Sequence, residues 1–125
     1  MGARTDSVKI SEKIVREYLK PWPILLPKGK YTMEFQTVKQ ISRRYFAFWP
    51  YYANRVPIDK AVSWIKQDDW LGKRHQIESL AKYGNLNHPM IIVSHNKVIL
   101  DGNHRICALI LKKRYKDLVL VFRHV

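Results

Sequence analysis

Five consecutive residues, Asp101-Gly102-Asn103-His104-Arg105, carry the densest chemistry in the chain. A glycine lets the backbone come close to a bound oxyanion. If a helix starts here, its first amides lack intrahelical acceptors and carry partial positive charge. Arg105 adds a planar fork suited to phosphate. His104 can donate to a phosphate or move a proton near neutral pH. Asp101 can hold a hydroxyl, orient the histidine or face a magnesium ion. The pattern fits phosphate binding through Gly102, Asn103, His104 and Arg105, with His104 and Asp101 as candidate catalytic groups. The plainer alternative is a capped turn with two exposed polar residues. A second carboxylate usually assists phosphoryl chemistry, and Asp68, Asp69 and Glu78 lie upstream.

The neighbouring elements must position that turn. Met90-Ile91-Ile92-Val93 is a short, partly β-branched apolar run and reads as a strand. Ser94 to Lys97 reads as a turn, and Val98-Ile99-Leu100 as a second strand closing a hairpin. Ile106, Cys107, Leu109, Ile110 and Leu111 follow at helical spacing and end in Lys112-Lys113-Arg114, charges suited to a helix C-terminus. Leu118 to Phe122 is the last strand. Upstream, Arg74 to Tyr83 forms a helix with Ile77, Leu80 and Ala81 inward, ended by Gly84. The order from there is helix, strand, strand, helix, strand, an α/β (α+β) domain.

Earlier segments are less regular. Lys9 to Lys20 reads as a helix through Ile10, Ile14, Val15, Tyr18 and Leu19, capped by Ser11 or Ser7 and stopped by Pro21-Trp22-Pro23. Ile24-Leu25-Leu26 reads as a short strand. Met33 to Ile41 fits helix and strand equally. Asp59 is placed to cap a helix from Lys60 to Ile65. Arg43 to Tyr52 interleaves aromatic residues with Arg43 and Arg44. Such a segment suits single-stranded nucleic acid, where bases stack on rings. Buried aromatics are the commoner outcome in a small domain.

The 125 residues suffice for one domain and are too few for two ordinary ones. The expected organisation is an extension over residues 1–55, packed on a core over 56–125. The hydrophobic fraction of 46% supports a packed core. The net charge of +13 is spread over both halves and favours a polyanionic partner. The single cysteine, Cys107, makes neither an intrachain disulfide nor a zinc cage and is expected on the core side of its helix. No apolar run reaches membrane-spanning length and no secretory signal is evident, so a cytoplasmic protein is expected.

Two segments together resemble a known superfamily. Gly84 to Val93, with Asn87-His88-Pro89-Met90-Ile91-Ile92-Val93, precedes Ile99 to Ala108, with Asp101-Gly102-Asn103-His104-Arg105. This order resembles the ParB/sulfiredoxin-like superfamily over about residues 77–125. The resemblance implies nucleotide binding, with phosphates at the Gly102 turn. Sulfiredoxins place a cysteine between the glycine and the histidine, where this chain has Asn103, so that chemistry is not expected. Partitioning ParB proteins carry arginine where this chain has His104. The Asp-Gly-x-His-Arg form is closer to stand-alone ParB-like nucleases and to free-serine-kinase-like members.

Three functional classes follow. The first is a magnesium-dependent nucleotide enzyme, a phosphohydrolase or nuclease acting on or with DNA, or else a kinase of a small serine-like molecule. The second is a non-enzymatic module that binds a nucleoside di- or triphosphate and DNA, the DNA non-specifically and salt-dependently. The third is a protein-binding module using its aromatic patch.

Overall fold

The computed structural model describes residues 7–19, 26–47, 56–68 and 72–125, the last residue of the third stretch by its backbone alone. The order of elements is β1 (Val8–Ser11), α1 (Glu12–Tyr18), β2 (Lys30–Thr37), α2 (Val38–Arg44), β3 (Phe46–Ala47), β4 (Val56–Pro57), α3 (Ile58–Asp68), α4 (Arg74–Tyr83), β5 (Met90–Val93), β6 (Ile99–Asp101), α5 (Asn103–Leu111) and β7 (Leu118–His124). Five strands form one sheet in the order β1-β2-β7-β5-β6, and β3 pairs with β4 separately. Within the large sheet only β5 and β7 are parallel. The fold is the mixed α/β class expected from the sequence.

Period-two alternation divides the sheet into two cores. Ile91 and Val93 of β5 and Val119 and Val121 of β7 face α2, α3, α4 and α5, which bury Ile41, Ile58, Ile65, Ile77, Ile106 and Leu109 against them. Ile92 of β5, Phe122 of β7 and Tyr31 of β2 face the other way, against Val15 and Leu19 at α1. Covered on both faces, β5 reads as a continuous apolar run. Each fully buried Ile, Leu or Val stabilises the fold by about 1.5–3 kcal/mol.

The N-terminal half departs from its local pattern. Val8, Lys9 and Ile10 are not helical; they pair antiparallel with Met33, Thr32 and Tyr31. A partner strand supplied by the tertiary fold outweighs the helical spacing of Ile10 and Ile14, and Ile14 is exposed. Ser11 does cap α1, its hydroxyl accepting from the Ile14 amide at 3.4 Å. The ambiguous stretch from Met33 contains both structures. It is strand through Thr37 and helix from Val38. The break is a capping box, with Gln40 N donating to Thr37 Oγ1 at 3.2 Å and Thr37 N to Gln40 Oε1 at 2.9 Å.

Residues before 56 supply two strands of the large sheet, β2 pairing with β7 from Tyr31↔His124 to Thr37↔Leu118. Asp59 lies inside the first turn of α3 and does not precede it; its carboxylate accepts from the Lys60 amide at 2.8 Å. From α4 onward the expected order is found, with β6 shifted by one residue to Ile99–Asp101. Of the expected strand at Ile24-Leu25-Leu26, only Leu26 is described, and it is buried outside any strand. Among the described residues no helix is long and apolar enough to cross a membrane.

Candidate functional site

Gly102 joins β6 to α5 with φ +97° and ψ 9°. An added Cβ would lie 2.8 Å from Ile91 Cγ2 and 2.9 Å from the Met90 carbonyl oxygen, so the position admits little but glycine. The turn therefore rides directly on the start of β5. Its carbonyl receives the first backbone bond of α5, from Ile106 N at 3.0 Å. The amides of Asn103, His104 and Arg105 come before that bond, and no side chain caps the helix.

At Asn103 the sequence points to the backbone amide, and the structure gives the side chain a separate role. Its side chain turns inward, 8% exposed, and Nδ2 donates to the Ile99 carbonyl at 2.9 Å. The side chain fastens α5 to β6. Arg105 is half-buried, and its Nε is buried with no hydrogen-bond partner among the described residues. An unmet buried donor of this kind costs about 1–3 kcal/mol, more when charged, until an acceptor arrives.

His104 is half-buried as well. Burial lowers its pKa below the ordinary 6.5, the Lys73 ammonium lowers it further, and the Asp101 carboxylate opposes both. The imidazole is therefore neutral at pH 7, able to accept a proton on one nitrogen and donate from the other. Lys73 was not among the residues singled out from the sequence. It is the N-cap residue of α4, a helix that also lacks a side-chain cap, and it brings a second cation toward the turn.

The carboxylates are sparse. Asp101 is exposed at the end of β6. Glu78 accepts from Arg74 Nε at 3.0 Å, one helical turn away on the surface of α4. The Asp68 side chain and Asp69 lie outside the described residues. Among the described residues no group of three His, Cys, Asp or Glu could hold a metal. A magnesium ion at this turn would thus depend on Asp101 and on the ligand's own phosphates.

Cys107 sits one turn into α5, fully buried, and burial pushes its thiol up to about 12. It is a core residue, as expected, and no nucleophile in the folded chain. Arg43 and Arg44 are exposed in the last turn of α2. Tyr45 is buried and its hydroxyl accepts from Gln36 Nε2 at 2.8 Å, so this ring belongs to the core. Phe46 is half-buried, and Phe48 to Tyr52 lie outside the described residues. The turn and the two arginines lie on different elements, α5 and α2. No protein-family model, no curated protein and no solved structure matches the chain.

Proposed function

We propose that this chain is a ParB-like nucleotide-binding protein that acts on or with DNA, holding a nucleoside di- or triphosphate at the start of α5. The observation that carries the reading is the Arg105 Nε, buried without an acceptor among the described residues, three positions after a glycine whose Cβ position is filled by β5. A phosphate oxygen there would satisfy that donor and meet the positive end of α5. Lys73 adds charge from α4.

For phosphoryl chemistry, neutral His104 is suited to take a proton from an attacking water or hydroxyl, and Asp101 stabilises the imidazolium that results. Magnesium bound with the nucleotide would neutralise charge on the phosphates. Binding and turnover are separable. Arg105 acts by charge and forked hydrogen bonds, so Arg105→Ala should weaken nucleotide affinity on the order of ten- to a hundredfold, from a charge-assisted bond of about 1.5–3 kcal/mol. His104→Ala should bind nearly normally and lose any turnover.

The test is a thermal-shift screen against nucleoside di- and triphosphates with and without magnesium. Saturation at a hundred times Kd should stabilise the fold by about 2.7 kcal/mol. No stabilisation by any nucleotide would remove the proposal.

A further inference from the structure

We propose that a second surface, built by α2 and the loop after α5, binds a single strand of nucleic acid through its phosphates. It rests on the DNA part of the reading above but uses none of the residues of the Gly102 turn. The nine residues of α5 separate the two places, about 13 Å at a rise of 1.5 Å per residue.

Lys39 and Arg43 stand four apart on α2 and so share one side of it. Ser42 and Arg43 line two grooves. One, of about 470 Å³, runs toward Tyr115 and Lys116. The other, of about 550 Å³, runs toward Asp59 and Lys60. Lys39, Arg43, Lys60 and Lys116 are all exposed, and among the described residues Asp59 is the one carboxylate lining either groove. That carboxylate already accepts from the Lys60 amide. A row of cations with one committed acid is a surface for a polyanion.

The surface is held in place before any ligand arrives. The first two amides of α2 are satisfied by the loop: Val38 N donates to Asp117 O at 3.0 Å and Lys39 N to Tyr115 O at 3.0 Å. Arg114 Nε donates to Asp117 Oδ2 at 2.6 Å, which closes the loop and neutralises that arginine within it. Tyr115 and Lys116 are thereby fixed against Lys39, and little ordering remains to oppose binding.

Lys113 strengthens the case. The Arg114 amide donates to Leu109 O at 3.0 Å and the Lys113 amide to Ile110 O at 2.9 Å, the two bonds of a Schellman cap. Lys113 occupies the cap position with φ +58°, where glycine is the unstrained residue. A charged side chain thus stands at a strained backbone position, exposed in the loop that carries Tyr115 and Lys116.

A single strand suits this surface better than a duplex. Tyr115 offers an exposed ring beside the cations, and only an unpaired base has a face free to stack on it. A duplex keeps its bases stacked internally.

The test is fluorescence anisotropy with a labelled oligothymidylate over a salt series. Each phosphate neutralised on a single strand contributes about 0.7 to the slope of log K against log salt. The triple variant Lys39→Ala, Arg43→Ala, Lys116→Ala should flatten the slope by about 2, and Tyr115→Ala should weaken binding about tenfold or more. Lys113→Gly should bind more weakly while its Tm holds or rises, which separates lost charge from lost folding. Arg105→Ala should leave oligothymidylate binding unchanged, so failure of the nucleotide reading and failure of this one are distinguishable. A folded triple variant with the wild-type slope would overturn the proposal, as would an unlabelled duplex of equal length that competes better than the single strand.

Discussion

The substitution Gly102→Ala tests the geometry of the turn most directly. Two penalties meet there. At φ +97° an L-residue is strained, at a cost of roughly 1–2 kcal/mol. The new methyl would also stand 2.8 Å from Ile91 Cγ2 and 2.9 Å from the Met90 carbonyl oxygen. Ile91 is fully buried in the central sheet, and the second atom is backbone, so neither can swing aside. Overpacking of this kind costs about 1–3 kcal/mol. Together they give a loss of about 2–5 kcal/mol, or roughly 8–20 °C in Tm for a domain of this size.

Gly72→Ala is the internal control. Gly72 has φ +64° and, among the described residues, nothing within 4 Å of its Cβ position, so it reports strain without collision. Urea denaturation of both variants, followed by circular dichroism, should show Gly102→Ala losing at least about 1 kcal/mol more than Gly72→Ala at unchanged m-value. Equal losses would mean that β5 does not press on the turn and that the glycine is there for its dihedral angles alone.

Two further outcomes follow from buried groups. Cys107→Ser places a hydroxyl where a thiol packs among apolar residues, and should cost about 1–3 kcal/mol in denaturation while leaving nucleotide affinity unchanged. A fall in affinity for the folded variant would show that the thiol reaches the ligand. His104 binds protons less readily in the folded chain than in the unfolded one. Its contribution to stability is therefore fully present above pH 6.5 and is lost as pH falls through the lowered folded value. His104→Gln should flatten the part of a stability-against-pH curve that falls away below pH 6.5, and an unaltered curve would show that another group titrates there.

The C-terminal half was legible because its signals are local. Arg74 to Tyr83 carries its own amphipathic stripe and its own stop at Gly84, whose amide donates to Leu80 O at 2.8 Å. Met90 to Val93 is apolar throughout because both faces of the sheet are covered at this strand. The N-terminal half was not legible for a matching reason. Lys30 to Thr37 becomes a strand against β7, which lies at the other end of the chain, and Val8 to Ser11 pairs in turn with that strand. At the turn itself the residue types were readable but their directions were not. The sequence marked the Asn103 backbone amide but not the direction of its side chain, which the Ile99 carbonyl on edge strand β6 claims. Lys73 carried no local mark at all, since only the packing of α4 beside α5 brings it near His104.

Charge and shape divide the work differently at the two surfaces. A net charge of +13 attracts phosphate to the whole molecule, so attraction alone cannot select where a ligand settles. At the Gly102 turn the selective features are steric. Gly102 is locked against β5, Asn103 is tied to β6, and Arg105 holds a buried nitrogen with no acceptor among the described residues. Such a site suits a compact anion in one orientation. Along α2 the cations are exposed, repeated and set beside open grooves, so they suit a charge that is itself repeated. The helix joining the two places, α5, is buried from Ile106 to Ile110. Its ends are therefore fixed relative to each other, and the field of each terminus falls off within one turn. Whatever binds at one end must be recognised there by its own contacts.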